Sequence, residues 1–340
     1  MNQAFKDLIE NDVKEVIIDL RDNGGGLLTA AVNMIDMLIE KGQTIVSTKG
    51  RMKESNRSFL SRTKPIIDKD VKIAILINQG SASASEIVAG SIQDLDRGIV
   101  IGRKSFGKGL VQTLYPIDKI RSLKVTTARY YIPSGRFIQN NDYINEKVVL
   151  ESEQEDSIFT TLNGRKVLGN GGITPDSIIY SETMEPLTVQ YWRSGFFYSF
   201  AQENKFQYEK FEDVENDNEL MSKFNNFIST KDKVRLPGEE VLEEIEEKMT
   251  ALGKIDNKTK KAMNDLGLFF KNQKNDRMVS ENTDMKQLLL LEFAGLFNGP
   301  EGRIKQALKD DKVVQSAINI LSSDNSYQMA FKNSQVIINN

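Results

Sequence analysis

Strands and helices alternate over the first 180 residues and only helices follow, so the sequence predicts an α/β fold with a helical C-terminal domain. Three observations carry this. Short apolar runs rich in β-branched residues, "VKEVIIDL" (13–20), "VKIAILIN" (71–78) and "GIVIG" (98–102), have the length and composition of buried strands. Two of them lead through small-residue turns into "LLTAAVNMIDMLIE" (27–40) and "SEIVAGSIQDL" (85–95). The apolar residues of both recur at helical spacing, and Ile87, Val88, Ser91 and Ile92 share one face of the second. Beyond residue 180, strand signals give way to charged helix formers such as "GEEVLEEIEEKMTALG" (238–253) and "TDMKQLLLLEFAGLF" (283–297).

Between these parts, "LVQTLYPI" (110–117) and "LKVTTARYYIP" (123–133) have the β-branched and aromatic content of further strands. The domains are expected at 1–180 and 181–340, with 203–217 and 271–284 as linkers or surface loops.

The 340 residues include no Cys and no His, which removes the Ser-His-Asp triad, the Cys-His pair and any Cys/His metal site. What remains for nucleophilic chemistry is Ser or Thr activated by Lys or a carboxylate. No loop has the spacing of a carboxylate cage, so neither a metal nor a cofactor is expected. A net charge of -3 gives no reason to expect nucleic acid. No signal peptide is visible at the N-terminus. The longest apolar run near the C-terminus, 288–297, contains Glu292 and is too short to span a bilayer.

In open α/β sheets ligands lie beyond the carboxyl ends of the strands, and the three loops there are unusual. "RDNGGG" places Gly24, Gly25 and Gly26 before a helix, freeing backbone N–H groups to approach a ligand. "GRKSFGKG" (102–109) satisfies the first part of a phosphate loop. It continues with Gly109 where Ser or Thr should hold Mg²⁺, and then with a strand instead of a helix, so no nucleotide is expected. "GSASASEIVAG" (80–90) offers Ser81, Ser83 and Ser85 at a strand-to-helix bend. Ser83 or Ser85 can cap the helix, and the same bend can also expose a nucleophile beside free helix N–H groups. Without His, the base for such a serine is Lys or a carboxylate. Lys108 qualifies if Phe106, Leu110 and Val111 enclose it in its neutral form, and Gln112 can hydrogen-bond its amine without adding charge.

"LRDNGGG", "GSASASEIVAG", "FGKGLVQ", "TTARYYIPSGRFIQ" and "GGITPD", in this order over about residues 13–180, resemble the signature blocks of the carboxyl-terminal processing (tail-specific serine) proteases. The segment containing "YWRSGFFYSFAQENK" is similar to the tail of Bacteroidota members. The resemblance implies a crotonase/ClpP-like serine protease core with a Ser-Lys dyad cutting near the C-termini of proteins. It places the nucleophile on Ser83, the base on Lys108 and its orienting partner on Gln112, with oxyanion donors at the N–H groups of Gly26 and Ala84. Glu86 and Asp94 are given structural roles, Ser85 the helix cap and Ser81 a place in the approach.

The expected partners are protein or peptide substrates with unstructured apolar C-termini, and a homo-oligomer is compatible with the pattern. The expected location is the periplasm or cell envelope. The chain is expected to be truncated at its N-terminus, without the family's PDZ domain. Two other readings stand beside the protease: a catalytically silent peptide-binding module and an acyl-CoA-handling crotonase relative.

Overall fold

The structure, a computed structural model, describes residues 1–140, 157–169, 171–180, 184–231, 234, 236–253 and 255–333. After α1 (Asn2–Glu10), the predicted strand runs become β1 (Glu15–Asp19), β4 (Lys72–Ile77) and β5 (Ile99–Gly102). Together with β10 (Ser177–Ile178) they make a parallel sheet in the order β1-β4-β5-β10. Parallel strands bury both faces, which is why "KIAILI" of β4 is apolar throughout instead of alternating.

On one face, Ile18, Ile73, Ile75 and Val100 pack with residues of α2 (Leu28–Asp36) and α3 (Ala84–Asp94), among them Ile35, Ile87 and Ile92. A second, antiparallel sheet runs in the order β3-β2-β7-β6. It comprises β2 (Thr44–Lys49), β3 (Arg57–Leu60), β6 (Leu110–Pro116) and β7 (Ser122–Tyr131), and Tyr130 of β7 reaches into the same core. β8 (Ile158–Thr160) and β9 (Lys166–Leu168) form a small separate pair.

The other face of the parallel sheet is covered from the far end of the chain. Ala74, Leu76, Ile99 and Ile101 meet Val313, Val314, Ala317 and Leu321 of α11 (Lys312–Leu321), and Tyr327 and Ala330 of α12 (Asp324–Asn333). The chain accordingly divides into one unit of Met1–Ser181 with Lys312–Asn340, and a second of Glu182–Asp311. The sequence reading places 181–340 in one domain. The last two helices instead go with the α/β unit, because its sheet has a second apolar face that needs cover.

Among its described residues, the second unit is helical: α4 (Pro186–Arg193), α5 (Phe196–Asn204), α6 (Phe211–Glu215), α7 (Leu220–Lys231), α8 (Pro237–Ala251), α9 (Asn257–Ser280) and α10 (Asn282–Lys309). Its core is aromatic, with Phe197 stacked on Phe224 and Phe200 set edge-on to Phe224 and Phe293. The two stretches expected as linkers are not linkers. In 203–217, α6 buries Phe211 and Val214, and 271–284 lies within α9 and the start of α10. A polar sequence in the second case reflects helix faces in water. The helix expected at 283–297 ends where α10 bends at Gly299 (φ 67°) and Pro300. Among the described residues no helix is long and apolar enough to cross a membrane.

Replacing Ala317, fully buried against the sheet, by Glu is expected to cost roughly 3–5 kcal/mol by placing a charge there without a partner. Chemical denaturation checks this. An unchanged unfolding midpoint would mean that α11 does not cover the sheet.

Candidate active site

The loops after β1, β4 and β5 converge and are joined chiefly by backbone groups. Ala82 N–H donates to the Asn23 carbonyl (3.0 Å), as does the Ser85 hydroxyl (3.0 Å), and Phe106 N–H donates to the Ser81 carbonyl (3.0 Å). Asn78 accepts from Asp22 N–H at Oδ1 (2.8 Å) and returns a bond from Nδ2 to Asp22 Oδ1 (3.0 Å). Ser81 is fully buried. Its hydroxyl donates to the Leu20 carbonyl (2.7 Å) and accepts from Asn78 N–H (3.0 Å), locking the end of β4 to the end of β1.

Ser83 sits at the bend with φ 59° and ψ -115°, outside the regions an L-residue ordinarily occupies. It is half-buried and occupies the N-cap position of α3, yet its hydroxyl caps no N–H. The cap runs the other way: the Glu86 carboxylate accepts from Ser83 N–H (2.7 Å). Among the described residues this leaves the hydroxyl without a partner. Gly25, at φ +92°, presses against the bend so closely that a Cβ there would lie 2.5 Å from Ala82 O and 2.8 Å from Ala84 N. The middle glycine of the triplet is therefore required by space as well as by dihedral angle.

The Lys108 loop is held by the same carboxylate. Glu86 Oε2 accepts from Ser83 N–H and Lys108 N–H (2.8 Å), while Oε1 accepts from Gly107 N–H (2.7 Å) and the Ser105 hydroxyl (2.6 Å). Glu86 is fully buried. Its burial pushes the carboxyl above its ordinary 4.5, against the pull of the donors from Ser105, Lys108, Ser83 and Gly107. On the carbonyl side, the buried Tyr130 hydroxyl donates to the Lys108 carbonyl and lies 3.3 Å from the Ser83 carbonyl. Gly109 N–H is taken by Gln139 Oε1 (2.8 Å), and the Gly107 carbonyl by Asn140 N–H (2.8 Å).

At the other end of α3, Asp94 is buried against Arg136 (2.7 Å) and accepts from Ser134 N–H (2.9 Å). Gln93 and Asp176 extend this network through a 3.0 Å bond, and Arg165 donates to Asp176 (2.5 Å). The charged residues of "PSGRF" and "GGITPD" thus fix the helix that carries Ser83.

The structure brings Ser83, Ala84 and Lys108 into one cluster with the Gly-rich turn. Gly26 is exposed, and neither its N–H nor that of Ala84, at the first position of α3, has a hydrogen-bond partner among the described residues. Lys108 is half-buried, and its amine makes no ion pair among the described residues. Ser83 and Lys108 are joined through Glu86 and Tyr130, with no direct side-chain hydrogen bond. Gln112 is exposed beside the register shift between Val111 and Gln112 and makes no bond to Lys108. Two expectations are corrected. Ser85 is not the cap but the second residue of α3, bonded to Asn23, and Ser81 is an internal tie with no exposure to a ligand.

The sequence reading gave Glu86 a structural role without finding its partners. The spacing S-x-x-E at 83–86 is the signal that could have shown it. Tyr130 carries no such signal, since its partners lie 22 and 47 positions away.

Residues 1–149 match the family described as "Peptidase family S41", and residues 186–321 match "Probable PDZ-protease, C-terminal helical domain". A carboxy-terminal-processing protease of Bartonella bacilliformis is 46% identical over 143 residues, covering 41% of this chain and 32% of that protein. A chloroplastic C-terminal processing peptidase of Tetradesmus obliquus is 38% identical over 133 residues, covering 39% and 28%. The photosystem II D1 C-terminal processing protease structure aligns with a TM-score of 0.39 at 30% identity, over 52% of this chain and 38% of that one. The chain spans about a third of the length of these curated relatives. The resemblance to carboxyl-terminal processing proteases read from the motifs is borne out.

Gly25→Ala is expected to cost roughly 2–4 kcal/mol through backbone strain and overlap, and Gly24→Ala, which meets open space, less than about 1 kcal/mol. Thermal denaturation of both variants measures this, and equal melting temperatures would contradict the close approach. Glu86→Gln puts an amide N–H₂ where a carboxylate oxygen accepts two bonds, at a cost of roughly 2–4 kcal/mol.

The pH dependence of stability follows from the raised pKa. Stability from Glu86 protonation is fully present below 4.5 and is lost as pH rises through the folded-state value. Unfolding free energies measured against pH should show this decline in the wild type and lack it in Glu86→Gln. Parallel curves would remove Glu86 as its source.

Proposed function

We propose that this chain, whose residues 1–149 match peptidase family S41, is the catalytic part of a serine endopeptidase that hydrolyses peptide bonds near the C-termini of proteins. The observation that carries the proposal is Ser83: a strained, half-buried serine at a strand-to-helix bend, its hydroxyl without a partner among the described residues, tied by one buried carboxylate to the loop of Lys108. Strain at such a bend is characteristic of a held nucleophile.

In the proposed reaction, Ser83 Oγ attacks the peptide carbonyl and Lys108 Nζ accepts the hydroxyl proton. The tetrahedral oxyanion is met by the N–H groups of Ala84 and Gly26, which have no other partners among the described residues. Lys108 then gives its proton to the leaving amine. A water molecule, deprotonated by the same lysine, releases the acid and restores Ser83. Gln112 orients the Lys108 amine when substrate closes the site, because catalytic hydrogen bonds often tighten only in the complex. Extended, unstructured tails with apolar ends suit the site. Among the described residues β6 is the edge strand of its sheet and starts at Leu110, just beyond Lys108, so a substrate chain can pair beside the base. By the same resemblance we place the reaction in the periplasm or cell envelope.

A second reading, a peptide-binding module that does not cleave, is favoured by the absence of a direct Ser83–Lys108 hydrogen bond and by the exposure of Gln112.

Incubation with an unfolded polypeptide bearing an apolar C-terminus separates the two. Cleavage by the wild type, reduced roughly a thousandfold or more in Ser83→Ala and in Lys108→Ala, is the expected result. A wild type that binds the polypeptide but cuts no faster than Ser83→Ala would establish the second reading.

A further inference from the structure

Nucleophile and base stand on loops from two different strands of the parallel sheet, so something must fix the distance between them. Glu86 holds the N–H groups of Ser83 and Lys108 from one side. The carbonyls of the same two residues converge on one phenol from the other side, that of Tyr130.

Tyr130 is anchored in the antiparallel sheet and touches the Lys108 loop through its backbone as well as its hydroxyl. It lies in β7, paired with Thr48 of β2, is 2% exposed, and passes its own N–H to the Gly109 carbonyl (3.0 Å). Its hydroxyl position is therefore set by the antiparallel sheet. Burial and the nearby Glu86 carboxylate push the phenol well above its ordinary value, so it stays a donor at any working pH.

We propose that Tyr130 is a positioning residue of the Ser83–Lys108 pair. Its hydroxyl closes a two-sided brace with Glu86 and transmits the register of the antiparallel sheet to the two reacting side chains. This rests on the proposed protease reading. The phenol has one proton for two carbonyls. It donates to the Lys108 carbonyl and lies 3.3 Å from the Ser83 carbonyl, so one hydroxyl serves both loops. Removing the hydroxyl leaves a partly buried carbonyl without its donor and lets the Lys108 loop shift, while the surfaces that meet a substrate are untouched.

The test compares the wild type, Tyr130→Phe and, as control, Tyr131→Phe, which removes a hydroxyl from the opposite face of the same strand. Three quantities are measured: kcat and KM on an unfolded polypeptide, the rate at which a serine-directed fluorophosphonate labels Ser83, and backbone amide exchange. In Tyr130→Phe, kcat and labelling rate should fall about 10- to 100-fold with KM within about twofold, and exchange should quicken at Ser83 and Lys108 but not across the core. Tyr131→Phe should match the wild type. The inference is overturned if Tyr130→Phe retains wild-type kcat, if its loss appears in KM alone, or if the variant no longer folds, which would make the hydroxyl a support of the whole fold. A wild type that neither cuts nor labels would sink the protease reading instead. Amide exchange would then still decide the brace, and unchanged exchange in Tyr130→Phe would overturn it.

Discussion

One buried carboxylate organises this site. Glu86 has no exposure to water, yet its two oxygens accept four hydrogen bonds, from Ser83, Ser105, Gly107 and Lys108. A buried acid is costly unless its acceptor sites are filled, and here the filling groups are backbone N–H groups of the Ser83 turn and of the Lys108 loop, with the Ser105 hydroxyl. Satisfying Glu86 and assembling the site are thus the same event. Among the described residues the Lys108 amine makes no ion pair with this carboxylate, which suits the base proposed for it, since a paired carboxylate would hold the amine charged.

The rest of the α/β unit can be understood as what places Glu86. It projects from the first turn of α3, a helix buried along its whole length between the parallel sheet and its neighbours. The far end of that helix is anchored through Asp94, Gln93 and the arginines 136 and 165. The Gly-rich turn closes over the near end, where only a glycine fits at position 25. Behind the sheet, α11 and α12 supply the cover that the apolar outer faces of β4 and β5 demand. Without such cover, the strands that hold the Ser83 and Lys108 loops would expose Leu76, Ile99 and Ile101, with the smaller Ala74, to water.

Much of this was legible in the sequence because it is local. Apolar runs of strand length, small-residue turns and helical spacing identified β1, β4, β5, α2 and α3 within a few residues. The absence of His narrowed the base to Lys108 or a carboxylate. What failed was also instructive. Polar stretches looked like linkers because a helix exposing most of its surface, as α9 does, has the composition of a loop. The roles expected of Ser81 and Ser85 did not hold because these serines are tied by partners at Leu20 and Asn23, which belong to another strand's loop.

By itself, then, the sequence determined the class of fold, the chemistry available to a chain without His or Cys, and the loops where that chemistry had to sit. These follow from hydrophobic periodicity, side-chain inventory and turn stereochemistry, all of which act over a few residues. The tertiary structure alone decided which serine is strained and without a hydroxyl partner among the described residues, and that Glu86 bonds the N–H groups and Tyr130 the carbonyls of the same two residues. It also decided that the last two helices return to the first unit. Each of these depends on groups tens to hundreds of positions apart sharing a hydrogen bond or an apolar face, and such meetings leave no periodic trace in the chain.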